Sequence, residues 1–494
     1  MTGDALVTGL ALIGIVIIVS ALLSGLVDRS GLPQVLVFIL IGLTLGPFGL
    51  AVFNMTLDSP VLRVVAALSL TLVLFTDAVT LNTKEVKRNS GLAFRMLGPG
   101  TILCAALTAL AAWWLLDIAP AYAAILGAAL ASTDPVLLRG LLQRRDISSE
   151  TRQALRLESG LNDVVLLPVV VIAIALTGQH EFGSGALGKM GFGLFILGPG
   201  AGIAIGLIAV AALDLIRKRT GVRRDYESLY SLGVAFTAFA AAEAVHGSGF
   251  LAAFAAGLTI AALDVELCDC FIEYGGVTAE MLLLFTFVIF GSSLIWTGFS
   301  EINTRTVIFV LIALLVRIPV YLLSLIRSRI DRRGRFVIAW FGPSGLSSLL
   351  LVLLPVFAGV PGSDRLFRIC ALIVLISVVV HGASPMLLAR FCKQPEPELE
   401  PVEPAVAEPV MEPRSLPVIE SGEAVGAQSV TLEELERLQK SGERVIILDV
   451  RTERSRDTSD LQAEGSIRIV PENVVIQAQK LRLPKDAWLI AYCA

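Results

Sequence analysis

An all-α polytopic membrane protein, followed by a small α/β segment at its C-terminus, is the fold class this sequence predicts. Three observations carry it. Of 494 residues, 55% are hydrophobic and only 17% are charged, at a mean hydropathy of +0.78, where soluble domains carry about 25% charged residues. Apolar runs of about 20 residues, each able to cross a ~30 Å hydrocarbon core, recur between Ala5 and Cys392. Beyond Lys393 no such run occurs. The net charge of -4 joins a basic membrane part to an acidic tail and implies no nucleic-acid partner.

The apolar runs divide into about 13 spans, near residues 5–27, 33–53, 60–81, 91–116, 120–142, 154–177, 190–216, 228–246, 248–263, 278–299, 306–326, 335–359 and 366–391. The first has only Asp4 and no basic residue before it, and a second span follows at once, so it reads as a retained helix rather than a signal peptide. His246-Gly247-Ser248-Gly249 barely separates the eighth and ninth. With the N-terminus outside, the inner loops collect clusters such as Lys84, Lys87 and Arg88, Arg217 to Arg224, and Arg327 to Arg335, while Lys189, Arg305 and Arg365 fall outside. That is a strong positive-inside bias, and an odd span count puts the C-terminus in the cytoplasm of a plasma-membrane protein. The acidic inner loop from Asp264 to Glu273 is the exception. Six scattered cysteines show no zinc-ligand spacing, and Cys268 and Cys270 read as incidental thiols rather than a metal or redox pair.

Residues 1–393 thus form the membrane domain. A Pro/Glu-rich linker over 394–428 has too little apolar character to build a core. A soluble segment follows over 429–494: a capped helix start at Thr431, a strand at Val445, and a second strand from Trp488.

Ionisable residues inside spans are costly and usually line an ion or proton path. Asp77, Asp134, Glu158, Asp163 and Arg317 are the five here. In the sixth span Ser159 and Asp163 lie about 40° apart around the helix, with Glu158 and Asn162 as a second i,i+4 pair beside them. Glu158 sits about 140° from Asp163, so the two carboxylates divide the work. A polar helix end would explain Glu158 but not Asp163, which apolar residues follow for over three turns. In the fifth span, Thr133-Asp134-Pro135 predicts a helix break, since proline removes an N–H and clashes with the turn before it. A break at membrane depth is tolerated where it faces a cavity; the bland alternative is a kink with Asp134 as a cap. Arg317 lies mid-span, cannot shed its proton and needs an acidic partner, because apolar flanks leave it no route to snorkel. Gly342-Pro343-Ser344-Gly345 interrupts the twelfth span. If spans 4–6 and 11–13 are inverted repeats, helices five and twelve are mates, both broken, as in a crossed-helix transporter site.

At these residues the sequence resembles the NhaP-type sodium/proton antiporters, the branch that includes the animal sodium/proton exchangers. The likeness runs over nearly all of residues 1–393: Thr133-Asp134-Pro135, Glu158-Ser159 followed by Asn162-Asp163, Leu74-Phe75-Thr76-Asp77 (where Glu is commoner than Asp), and Arg317. The resemblance implies a crossed-helix, usually dimeric protein that exchanges Na⁺, or Li⁺ or K⁺, for protons across the bilayer without a cofactor. It implies a cation site at Asp163 with Ser159, Asp77 and Thr133, Asp134 acting nearby through water, and a structural ion pair of Glu158 with Arg317. Ser344 stands where the family commonly has arginine, which bears on regulation rather than on the ion site. Asn162 replaces the first of two adjacent carboxylates found in electrogenic relatives, so one-for-one, electroneutral exchange is expected.

The tail resembles a rhodanese domain through Asp449, Arg451 and a strand-terminal Cys493. It spans half to two thirds of such a domain, lacks the loop that activates the cysteine, and is expected to be inactive. A membrane-anchored sulfurtransferase is the competing reading, a cation channel the third. No GxxxxGK[ST] loop, His-rich site or Ser/His pair points elsewhere.

Overall fold

The computed structural model describes residues 14, 18, 22, 34–52, 54–81, 86, 88–142, 147–177, 186–219, 224–263, 276–328, 330–391, 435, 444–451, 463, 465–469, 481 and 488–492. The predicted first span is described only at Gly14, Ile18 and Leu22. The 394–428 linker, Thr431, Cys268, Cys270 and Cys493 lie outside the described residues.

Eight helices are long and apolar enough to cross a membrane, and four shorter apolar ones accompany them among the described residues. α1 (Gln34–Leu45) precedes α2 (Pro60–Thr80), which places proline in its first turn, where no intrahelical N–H bond is lost. α3 (Ser90–Leu116) widens into a π-helical stretch at Met96–Ile102 around Pro99. α4 (Pro120–Ala131) and α5 (Pro135–Leu142) are the halves of a broken span. α6 (Ser149–Thr177) begins five residues before the sequence places it, so Glu158 stands about 2.5 turns inside and is not a helix end. α7 (Gly188–Arg219), α8 (Arg224–Ala244) and α9 (Gly249–Leu263) follow. α8 and α9 are separate helices because His246 turns the chain in the left-handed region (φ 58).

α10 (Gly276–Ile289) runs on through π and 3-10 turns to Glu301. α11 (Thr304–Leu315) is capped by the Asn303 side chain, and α12 (Arg317–Ser324) continues it. α13 (Arg332–Trp340), capped by Asp331, and α14 (Leu346–Phe357) form a second broken span before α15 (Ser363–Phe391).

Two cores hold this bundle. The larger unites apolar faces of α1–α6, α9 and α10–α15. The smaller, rich in alanine, joins Phe75 of α2, Leu213 of α7, Ala235 and Ala238 of α8, and Ala253, Ala256 and Ile260 of α9. Its small residues let backbones approach, the usual substitute for a hydrophobic drive between helices in lipid. At Gly202 of α7 any side chain would run into the Ala252 backbone of α9. α2 contributes to both cores, and it carries Asp77.

The chain divides into two compact units, Met1–Phe391 and Cys392–Ala494. In the second, β1 (Val445–Asp449) lies between β2 (Ile467–Arg468) and β3 (Trp488–Tyr492), parallel to both, in the order β2-β1-β3. Asp449 ends the central strand and accepts from the Arg451 guanidinium at 2.9 and 3.0 Å. Those bonds hold its carboxyl down at about 2. A depressed native pKa contributes stability above the ordinary carboxylate range that is lost as pH falls from about 4 through about 2. Hydrogen exchange on the full chain is expected to show weaker protection of Val445–Leu448 amides in Asp449→Asn at pH 7. Unchanged protection would mean the pair does not hold the strand.

Candidate functional site

The two broken spans cross, and each break satisfies the other's backbone. Ser132 leaves α4 extended (φ -69, ψ 135), which frees the amides of Thr133 and Asp134 from helical bonding. The Asp134 N–H donates to Pro343 O at 2.9 Å. From the other break, the Ser344 hydroxyl donates to Leu130 O at 3.1 Å and the Ser348 hydroxyl to Ser132 O at 3.3 Å. The Ser344 N–H finds Ser377 Oγ on α15 at 3.0 Å.

Asp134 does more than cap its own helix. One carboxylate oxygen accepts the Val136 N–H of α5 at 2.9 Å, and the other accepts the Leu346 N–H of α14 at 2.7 Å. It therefore faces the positive ends of two half-helices. Gly345 permits this, since a side chain there would overlap the Asp134 carboxylate, and at Gly342 it would overlap the Arg317 guanidinium. The glycines of Gly342-Pro343-Ser344-Gly345 are spaces cut for two charges. Ser344, where the resembled family commonly carries arginine, is a buried hydroxyl inside the crossing.

α6 brings four buried polar groups to this crossing: Glu158, Ser159, Asn162 and Asp163. Arg317 of α12 grips Glu158 with two parallel bonds of 3.0 Å, and both residues are buried. The guanidinium also donates to Ile338 O at 3.2 and 3.3 Å. Thr133 and Tyr321 each donate to Glu158 Oε1 at 3.1 Å. Thr133 has one proton, given to Glu158, so its oxygen accepts from Asn162 Nδ2 at 2.6 Å. That fixes the amide orientation and leaves Asn162 Oδ1 buried without a partner.

Asp163 accepts from the neutral hydroxyl of Ser132, and the Ser347 hydroxyl lies beside it. Ser159 does not reach it, because its hydroxyl turns back to Arg156 O at 3.4 Å. Asp77, half-buried on α2, packs opposite Gly160 of α6 and lies within reach of the charges of Asp163 and Asp134. Neither Asp77 nor Asp163 forms an ion pair among the described residues.

Ser132, Ser347, Ser348 and Tyr321 were not singled out from the sequence. Ser132 stood next to Thr133-Asp134-Pro135 and Ser347 two residues past the second break, so polar neighbours of the breaks were the available signal. Tyr321, at i+4 from Arg317, shares its helix face.

The Glu158–Arg317 pair generates an expectation. Removing one partner of a buried, hydrogen-bonded pair strands the other charge, at a cost of about 3–5 kcal/mol. Glu158→Ala is therefore expected to lower the melting temperature and yield more than Asp163→Asn. Equal stability of the two purified variants would show that the pair holds nothing together.

Comparison with known proteins places the chain in a family. The model of the family described as "Sodium/hydrogen exchanger, transmembrane" matches residues 15–389. The K(+)/H(+) antiporter NhaP of Alkalimonas amylolytica is 24% identical over 399 residues, covering 80% of this chain and 68% of that protein. The K(+)/H(+) antiporter NhaP2 of Shewanella baltica is 26% identical over 414 residues, covering 82% and 67%. The solved structure of the sodium proton antiporter MjNhaP1 from Methanocaldococcus jannaschii superposes with a TM-score of 0.63 at 20% identity, over 78% of this chain and 99% of that one. With the family model matched across most of its length and that fold shared, the chain belongs to the transmembrane sodium/hydrogen exchanger family.

Proposed function

We propose that the protein exchanges a monovalent cation for one proton at Asp163, by alternating access. Its family and its apolar helices make it a multi-pass membrane transporter of cations and protons, and not an enzyme. The site assignment rests on how the buried charges are compensated. Glu158 has Arg317, and Asp134 has the N-termini of two half-helices. Asp77 and Asp163 are left without a fixed counter-charge among the described residues, and Asp163, the more deeply buried of the two and next to Asn162, is the one we assign for a proton or a cation to neutralise. In this proposal Thr133, Ser159, Asn162 and Asp77 surround the cation, with Asp134 beyond them through water. The unpartnered Asn162 Oδ1 supports a ligand there. Glu158 and Arg317 form a structural pair that does not cycle.

One exchangeable carboxyl gives one proton per cation, hence electroneutral exchange. Both oxygens of Asp134 are taken by N–H caps, which supports that stoichiometry. Na⁺ is the first candidate substrate; the names of the relatives put K⁺ beside it, with Li⁺ third. The same proposal includes about 13 spans with inverted repeats at 4–6 and 11–13, a homodimer, an outside N-terminus and a cytoplasmic C-terminus. It also includes the division into a membrane domain (1–393), a linker (394–428) and a rhodanese-like tail (429–494). Positive-inside loop charge supports the orientation, and the paired breaks support the repeats.

Asp163→Asn is expected to fold and to abolish cation-driven dequenching of a pH dye in proteoliposomes, with Na⁺, K⁺ and Li⁺ each offered. Near wild-type dequenching would remove the assignment. On solid-supported membranes, cation jumps are expected to produce no sustained transport current while the dye reports exchange. A sustained current would overturn the one-for-one stoichiometry and turn attention to Asp77.

A further inference from the structure

We propose that Tyr321 is a positioning residue for the cation site, acting through Glu158, Thr133 and Asn162 without touching the ion. The proposal deepens the reading of Asp163 and rests on it. Tyr321 is wholly buried and contacts both members of the Glu158–Arg317 pair. Its hydroxyl lies 3.1 Å from Glu158 Oε1, and its ring lies beneath the Arg317 guanidinium, with Cζ 3.9 Å from the ring centroid. A stacked and hydrogen-bonded tyrosine fixes the plane of a bidentate pair that two parallel bonds alone leave free to hinge.

The slot for this ring is built by α3. A side chain on Gly100 would press on the Tyr321 ring, with its Cβ 3.2 Å from Cζ, so the glycine in the π-helical stretch makes room. The next residue, Thr101, places its hydroxyl 3.1 Å from the Tyr321 hydroxyl. Proton counting gives the chain a direction. Glu158, gripped through both oxygens by Arg317, only accepts, so the Tyr321 proton goes to Oε1, and the single Thr101 proton is shared between Met96 O at 3.2 Å and the Tyr321 oxygen at 3.1 Å.

Three donors meet on Oε1: Arg317 Nη1 at 3.0 Å, and Thr133 and Tyr321 at 3.1 Å each. The Thr133 proton on Oε1 is what leaves its oxygen to accept Asn162 Nδ2 and turns Asn162 Oδ1 away from Thr133. The relay therefore runs from Tyr321 through Glu158 and Thr133 to Asn162 Oδ1, the one buried amide oxygen without a partner among the described residues. Tyr321 sets where Oε1 stands, and so how Thr133 and Asn162 present themselves beside Asp163.

The test is Tyr321→Phe, which keeps the ring and removes only the hydroxyl, in the full-length chain. Expected is a rise of about three- to tenfold in KM for the cation, a part of the free energy of one hydrogen bond to a charged group, with kcat within about twofold. A double-variant cycle separates positioning from plain support. Cation affinity, read from the cation-dependent rise in melting temperature with Na⁺ or K⁺ as probe, is expected to fall on Tyr321→Phe in the wild-type background and not in Thr133→Val, where the relay is already cut. The same fold-change in both backgrounds, or wild-type KM in Tyr321→Phe, would overturn the proposal. If Tyr321→Phe is recovered unfolded, Thr101→Val is read by the same criteria, with a smaller shift in the same direction expected. Should Asp163→Asn retain exchange, the site reading itself fails. Loss of exchange in Asp163→Asn with an unmoved Tyr321→Phe sinks this proposal alone.

Discussion

Helices broken at membrane depth leave N–H and C=O groups that lipid cannot satisfy, and each group left unmet costs several kcal/mol. Everything at the centre of this protein follows from how that cost is met. The break between α4 and α5 and the break between α13 and α14 cross, and each supplies the other's partners: Asp134 N–H to Pro343 O, Ser344 to Leu130 O, Ser348 to Ser132 O. The Asp134 carboxylate then bridges the N-termini of both second halves. Gly345 and Gly342 leave the room that the two nearest charges need. The crossing is a polar object in an apolar bundle, and helices with small or polar residues are the ones that can pack on it.

Around that object four carboxylates, Asp77, Asp134, Glu158 and Asp163, meet one guanidinium, Arg317, among the described residues. A low-dielectric interior does not hold such an excess of negative charge unaided. Two of the four are settled by fixed groups: Glu158 by Arg317 and Asp134 by the helix ends. The remaining two are Asp77, half-buried, and Asp163, fully buried beside serine hydroxyls and an amide oxygen with no partner. A group placed like this needs a mobile positive charge, and a proton and a monovalent cation compete for the place. Asp77 sits on α2, which, like α9 and α10, contributes residues to both hydrophobic cores.

Much of this was legible beforehand because charged and helix-breaking residues are scarce in spans, and scarcity makes each one informative. Asp163, Asp134, Glu158, Arg317 and the two breaks announce themselves against runs of Leu, Val and Ala. Geometry that depends on a second helix did not announce itself. Ser159 shares a face with Asp163 by helical period, yet its hydroxyl turns to Arg156 O, while Ser132 and Ser347 reach the carboxylate from other spans. Asp134 read as a choice between a cap and a working acid, and its caps lie on two helices that sequence alone does not bring together. Tyr321 carries little signal in the sequence because its partners, Thr101 and Glu158, are 220 and 163 residues away.

The central claim is that a single carboxyl, Asp163, trades its proton for a cation while Glu158 and Asp134 stay held by their fixed partners. Counting protons tests it most directly. Purified protein in a weakly buffered detergent solution near neutral pH is titrated with Na⁺ or K⁺ to saturation, and the released protons are measured per bound cation. The account predicts about one, and none in Asp163→Asn. Release of two per cation, or release undiminished in Asp163→Asn, would contradict it.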